Sequence, residues 1–304
     1  MNEAAYRAAE SALWESVGVV PTERTIRLEV LGAEVRVQET GSGPTALLLH
    51  GSPSSGTGWA HLVPHLHGRR VVTVDLPGTG LSAQPTSGTG IAKYLETVVV
   101  DCLDALGEDR ALVVGSSSGG TMALRAAAEH PHRISGLVLM GTPWLIEELG
   151  VPASERFMLL PGIGGLLGRM RPGVRLQRSM WRSIGHGPSL DEGRLDQPYL
   201  DWWGALLKHT DSLRNDMAWM ASLRGRLGSY APEFLIGPTD RARISAPTLL
   251  VWGEHETAGD LTIAEAIVGS IPAAGLEVVK GGGHLPWIDA PEAAAAMVDQ
   301  LVAI

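Results

Sequence analysis

Ser117 stands in the run Val113-Val114-Gly115-Ser116-Ser117-Ser118-Gly119-Gly120, a G-x-S-x-G pattern placed directly after an apolar run and before the helical pattern 121–129. A serine on so sharp a strand-to-helix turn is exposed to a neighbouring base, and the positions two before and two after it crowd its backbone, which accounts for Gly115 and Gly119. Of the three consecutive serines, only Ser117 has both flanks right. The start of the helix supplies backbone N–H groups and the positive end of its dipole, so the Ser118 N–H can donate to an oxyanion. His50-Gly51-Ser52-Pro53 closes an earlier apolar run and offers a second donor, the Ser52 N–H, opposite that of Ser118. There Gly51 permits close approach and Pro53 fixes the turn. These parts suit attack by an activated hydroxyl on a carbonyl carbon, with two N–H groups holding the charge that develops.

Such residues need strand ends to stand on. Short apolar runs at 46–49, 71–74, 111–114, 137–140, 249–252 and 276–279 each end at a turn, the pattern of strands buried on both faces of a parallel sheet. Two further β-rich stretches, 25–30 and 34–38, parted by Leu31-Gly32-Ala33, read as a hairpin, which brings the expected sheet to eight strands. Segment 3–16 reads as a peripheral helix stopped by Pro21. Segment 91–106 carries Leu95, Val98, Val99, Cys102, Leu103 and Leu106 on one helical stripe. Alternating strands and helices predict an α/β fold with a mostly parallel sheet flanked by helices. Between Pro143 and Thr239 the alternation stops, and helical patterns rich in Trp and Met take over. The expected organisation is a core of 1–143 and 240–304 with an inserted helical cap at 144–239. The cap holds Trp144, Trp181, Trp202, Trp203 and Trp219, with Met158, Met170, Met180, Met217 and Met220. Lying over the strand carboxyl ends, some of the five tryptophans are expected to line an apolar substrate pocket.

With Asp75-Leu76-Pro77-Gly78-Thr79-Gly80-Leu81-Ser82 after the next strand, the chain resembles the α/β-hydrolase superfamily over about two thirds of its length. The stretch His50 to Trp59 is most similar to the capped branch that includes haloalkane dehalogenases and epoxide hydrolases. Those enzymes use an Asp nucleophile, so Ser117 in its place implies a serine hydrolase on the same capped scaffold. The resemblance places acid and then histidine downstream. Gly281-Gly282-Gly283-His284-Leu285-Pro286 matches the family's G-H-x-P loop, which makes His284 the base. For the acid, the family commonly reads W-G-x-x-D, where this chain has Trp252-Gly253-Glu254-His255-Glu256. Glu256 is the first choice and Glu254 the second. An alternative family position, just after 137–140, holds Gly141.

Other chemistries find little footing. His61, His65 and His67 lack a carboxylate or cysteine in a recognisable ligand pattern, and no phosphate-binding glycine motif is complete. No metal or cofactor is expected. A net charge of −9 argues against nucleic acid and anionic membranes as partners, and no run of apolar residues is long enough to span a bilayer. A lone Cys102 and a polar first segment place the expected location in the cytoplasm. The expected activity is cleavage of a carboxylic ester, lactone or thioester of a largely apolar small molecule, through an acyl-enzyme on Ser117. The alternatives are carbon–carbon bond hydrolysis or cofactor-free lyase chemistry on the same scaffold, and a ligand receptor with little turnover.

Overall fold

The computed structural model describes residues 1–86, 89–151, 156, 160, 162–225 and 229–302. Eight strands form one sheet in the order β1-β2-β4-β3-β5-β6-β7-β8. They are β1 (Thr22–Leu28), β2 (Ala33–Gly41), β3 (Thr45–Leu49), β4 (Arg70–Val74), β5 (Ala111–Ser116), β6 (Ile134–Met140), β7 (Thr248–Gly253) and β8 (Ala274–Val279). β1 and β2 run antiparallel to their neighbours and every other pairing is parallel. The expected fold class is therefore the observed one.

The central strands are buried along their whole length, because helices cover both faces of a parallel sheet. β8 departs from the expectation. As an edge strand it leaves Gly275, Glu277 and Val278 exposed, whereas every residue of β7 beside it is buried. The registers Leu49 with Gly115, Ser116 with Met140 and Met140 with Val251 bring the carboxyl ends of β3, β5, β6 and β7 level. The loops that leave them meet on one side of the sheet.

Two helices fix the edges of this arrangement. α1 (Glu3–Ser16) begins at Asn2, whose side chain accepts from the Ala5 N–H, and it packs against the inserted helix Gln197–His209. Far from being peripheral, α1 buries Tyr6 and Glu10, and Glu10 accepts from the Arg36 guanidinium at 2.6 Å. Arg36 also meets Asp75 at 3.3 Å, so one buried cation ties α1 and β2 to the loop after β4. α2 (Ile91–Leu106) presents its apolar stripe to the core, and its Asp101 carboxylate accepts from the N–H groups of Val30 and Leu31 in the hairpin turn.

Among the described residues of 144–239, regular structure is helical. The chain leaves the core and returns to it at one place, where Ile146 bridges Ile236 and the Ile236 N–H donates to the Leu145 carbonyl at 2.9 Å. Met158 lies outside the described residues. No helix among the described residues is long and apolar enough to cross a membrane.

α3 (Ser118–Glu129) starts so close beneath the end of β3 that a Cβ on Gly119 would lie 2.3 Å from the Leu49 carbonyl oxygen and 2.6 Å from that of His50. Nothing lies within 4 Å of the corresponding point on Gly269 in the exposed helix Leu261–Ser270. Gly119→Ala should therefore cost about 1–3 kcal/mol or more through forced backbone displacement. Gly269→Ala should gain about 0.4–1 kcal/mol by restricting the unfolded chain. Urea denaturation midpoints read both, and a shift of the same sign in the two variants would contradict this packing.

Candidate active site

Ser117 sits between β5 and α3 with φ 51° and ψ −119°. A non-glycine residue holds so sparse a conformation only where its surroundings over-determine it, at a cost of about 1–3 kcal/mol. Here its carbonyl accepts from the N–H groups of Thr121 and Trp144, both at 3.1 Å. On its other side the backbone of the β3 loop passes so near that a Cβ on Gly51 would lie 2.7 Å from the Ser117 Cβ. Ser118 is the first residue of α3, so its N–H has no acceptor in a preceding turn. The Ser52 hydroxyl lies across from it, 3.4 Å from the Ser118 hydroxyl. His50 braces this loop: its Nε2 accepts from the Leu76 N–H at 3.2 Å and its Nδ1 faces the Gly51 carbonyl at 2.7 Å. Burial pushes the His50 pKa down to about 4, so its ring is neutral near pH 7.

The loop after β8 delivers His284, and the turn after β7 delivers Glu256. Nδ1 of His284 lies 2.7 Å from Oε2 of Glu256. Burial alone would raise the Glu256 pKa, but the His284 charge, its hydrogen bond and the N–H groups of Ala258 and Thr142 bring it down to about 2. The longer Glu side chain is held back by these backbone donors, with Oε1 accepting from Thr257 and Ala258 and Oε2 from Thr142 at 2.9 Å. Glu254 turns away and accepts from the Gly281 N–H at 2.7 Å. Of the two acids read from the sequence, Glu256 is the one that meets His284.

One short segment touches all three side-chain positions. Beyond β6, the Thr142 N–H binds Glu256 and the Trp144 N–H binds the Ser117 carbonyl. Gly141, at φ 72°, lies so near the His284 backbone that a Cβ would fall 2.0 Å from the His284 carbonyl oxygen. The absence of an acid at position 141 thus has a steric reason: no side chain fits there.

Behind His284 lies a second buried pair that sequence reasoning did not single out. His186 and Asp289 are fully buried, with Nδ1 of His186 3.0 Å from Asp289 Oδ1. Nε2 of His186 accepts from the Leu285 N–H at 3.1 Å, which puts the ring proton on Nδ1. Asp289 also accepts from the Gly283 N–H at 2.7 Å and from the Ser189 hydroxyl. The His284 N–H donates to the Ile184 carbonyl at 2.9 Å. The histidine loop is therefore gripped from both flanks by the inserted helices and the chain after it. Residues 186 and 289 are over a hundred positions apart, and nothing in their local patterns joins them.

The tryptophans divide. Trp181, Trp202 and Trp203 are buried in an aromatic cluster with Tyr199 and His186, and the Trp202 Nε1 faces the Tyr6 hydroxyl at 3.4 Å. Trp203 donates to the Pro53 carbonyl at 3.0 Å. Trp144 stacks obliquely on Trp219 and donates to the Tyr230 hydroxyl at 2.9 Å. Trp219 alone of the five lines two adjoining hollows, of which the smaller reaches Ser118. The larger, about 270 Å³, is walled by Pro77, Gln84, Tyr94, Asp216 and Trp219 among others. The smaller reaches Ser52, Ser118 and His50 and shares Pro77, Tyr94, Asp216 and Trp219 with it. Asp216 was not read from the sequence either. It is one polar position of an otherwise ordinary amphipathic helix, Ser212–Ser222. No group of three or more His, Cys, Asp or Glu among the described residues is placed to hold a metal ion.

Comparison with known proteins agrees with this architecture. A family model described as alpha/beta hydrolase fold matches residues 44–291. A 2-hydroxy-6-oxononadienedioate/2-hydroxy-6-oxononatrienedioate hydrolase of Paraburkholderia phymatum is 30% identical over 83% of this chain and 86% of its own. A 2-hydroxymuconate semialdehyde hydrolase of Pseudomonas putida is 30% identical over 90% of this chain and 93% of its own. Among solved structures, carboxylesterase CesB (YbfK) from Bacillus subtilis superposes with a TM-score of 0.78 at 19% identity, covering 99% of this chain and 98% of that one. With an eight-stranded sheet in this order, a strained serine between β5 and α3, and a family match over most of its length, this chain belongs to the α/β-hydrolase family and is a hydrolase.

Proposed function

We propose that this hydrolase works through Ser117 as nucleophile, His284 as the base that takes the serine proton and returns it to the leaving group, and Glu256 as the carboxylate that orients the imidazole. The N–H groups of Ser52 and Ser118 receive the oxyanion. The observation that carries this reading is the segment 141–144, whose backbone is in contact with the Ser117, Glu256 and His284 positions at once. The inserted helices 144–239 serve as a cap that closes over these groups and grips the histidine loop.

The bond cleaved is a carbon–carbon bond beside a ketone. Support comes from the relatives at 30% identity, which are named for 2-hydroxy-6-oxo dienedioates and for a hydroxymuconate semialdehyde. The expectation of an ester gives way to the alternative on that ground. In such a compound the oxo carbon is the electrophile, and the enol hydroxyl, once ketonised, provides a carbonyl that can take up the electron pair of the breaking bond. Ser117 Oγ adds to the oxo carbon and its proton passes to His284. The carbon–carbon bond then breaks, the leaving carbon takes the proton back from the imidazolium, and water releases the acyl group from Ser117. Hydrolysis of an ester, lactone or thioester is the second reading. The observation favouring it is that, among the described residues, those walling the hollows include Asp216 and neither Arg nor Lys, so none of them is a counter-ion for a dianionic substrate.

Assays with 2-hydroxy-6-oxohexa-2,4-dienoates, followed by loss of their absorbance, and with p-nitrophenyl esters decide between the two bonds. Faster turnover of the esters would reverse the order of the readings, and turnover of neither by folded protein would move the chain to the receptor hypothesis. Ser117→Ala should lower kcat by about 10^4 to 10^6 with its melting temperature nearly unchanged. Near wild-type turnover in that variant would end the covalent mechanism.

The acid has its own test. Glu256→Gln should lower kcat by about 10^4, since an amide at that place neither stabilises the imidazolium nor selects the required tautomer. Glu254→Gln should change kcat by less than about threefold, because an exposed side chain that only braces Gly281 is a minor interaction. Equal losses would show that Glu256 is not the orienting group.

A further inference from the structure

The helix Ser212–Ser222 of the insertion turns one carboxylate inward. Asp216 is 6% exposed, and its Oδ1 accepts from the Ser52 hydroxyl at 3.2 Å. Its Oδ2 is buried with no hydrogen-bond partner among the described residues. Asp216 walls both hollows, the larger of about 270 Å³ and the smaller that touches Ser52 and Ser118, so it stands at their junction. A buried carboxyl oxygen without a donor is costly, and a site that leaves it so is built to have the donor supplied by what enters. Among the described residues, the remaining wall offers no cation. Asn215 spends its amide N–H on the Gly78 carbonyl at 2.7 Å, and Pro77, Ile91, Ala218 and Trp219 are apolar.

We infer that Asp216 is the specificity-determining group of the pocket, selecting a substrate end that carries a hydrogen-bond donor or a positive charge and excluding a carboxylate. This rests on Ser117 being the reacting group, since the selected end is defined by its place beside Ser52 and Ser118. It sets the chain apart from relatives named for dienedioates, whose substrates carry a carboxylate at each end. The chemistry that fits is a hydroxyl, amide or amine on the portion of the substrate seated beside Asp216, against the wall that Tyr94 and Trp219 form by their edge-to-face contact.

Burial pushes the Asp216 pKa up to about 7, against the lowering effect of the Ser52 hydrogen bond. The titratable groups that share the hollows are His50, held neutral by its own burial, and Tyr94, whose phenol is pushed up by burial and by the Asp216 charge. Selection for a cation therefore strengthens as pH rises through the Asp216 titration.

Three para-substituted benzenesulfonyl fluorides test the inference: one bearing a 2-aminoethyl group, one an ethyl group and one a 2-carboxyethyl group. Ser117 Oγ bonds to sulfur, fluoride leaves and the hydroxyl proton passes to His284. Near pH 8 the inactivation rates, corrected for hydrolysis in buffer, should fall in the order ammonium, ethyl, carboxylate by at least about tenfold from first to last. Lowering the pH to about 5.5 should shrink the ammonium preference in the wild-type protein. In Asp216→Asn, which keeps the shape and an acceptor for Ser52, the three rates should converge to within about threefold. Removing a buried charge should also raise the melting temperature of that variant near pH 8. Equal rates in the wild type, or an order that survives in Asp216→Asn, would overturn the inference. The corresponding sulfonamides, which cannot react, read the subsite separately through tryptophan fluorescence. Ordered binding of these without modification of Ser117 by the fluorides would support Asp216 while removing Ser117 as nucleophile, and unordered binding would overturn Asp216 itself.

Discussion

Four stretches of backbone come into contact above the ends of β3, β5, β6 and β8, and the separation leaves no room for side chains. Gly119 lies against the carbonyls of Leu49 and His50, Gly51 against Ser117, and Gly141 against the carbonyl of His284. Because the backbones touch, the first residues of α3 and the residues after β3 stand face to face, and the turn at Ser117 has no relaxed alternative. The positive φ of Ser117 is the local consequence. It is maintained by α3 on one side and the Trp144 N–H on the other. Loosening any of these contacts would let the turn relax and move the hydroxyl away from the groups around it.

Three buried carboxylates near this centre gather different sets of partners. Glu256 gathers His284 and three backbone N–H groups and is held at a pKa of about 2. Asp289 gathers His186, the Ser189 hydroxyl and the Gly283 N–H, and fastens the loop that carries His284. Among the described residues Asp216 has the Ser52 hydroxyl alone, and burial pushes it up to about 7. Desolvation acts on Glu256 and Asp216 in the same direction, and the His284 charge, with the donors that join it, brings Glu256 alone of the two below the ordinary carboxylate value.

Residues of the segment 144–239 are tied to the rest of the chain through aromatic side chains. Tyr6 from α1 meets the Ser55 hydroxyl at 2.9 Å and lies opposite Trp202, which joins the first helix of the chain to the insertion and to the loop after β3. Trp181, Trp202 and Trp203 thereby become packing residues, and their N–H groups, where paired, reach fixed partners in the core. What remains facing the hollows is the helix Ser212–Ser222, through Asp216 and Trp219.

The sequence by itself determined the sheet and the serine turn, because both are written in local pattern: apolar runs of strand length, a helical stripe, and glycines two residues either side of Ser117. The histidine loop and the pair of candidate acids were legible through motif spacing. Glu256 was the first choice in the sequence, but that it meets His284 while Glu254 meets Gly281 depends on where a turn aims two side chains two positions apart, which tertiary contact fixes. His186 with Asp289, and Asp216 with Ser52, were invisible for the same reason. Each pairs residues over a hundred positions apart, and a buried polar contact at that distance leaves no periodicity in the chain. The tryptophans show the limit from the other side. Their type foretold burial, but whether a ring faces a pocket or the core depends on which neighbour reaches it first, and Tyr6 of α1 reached Trp202.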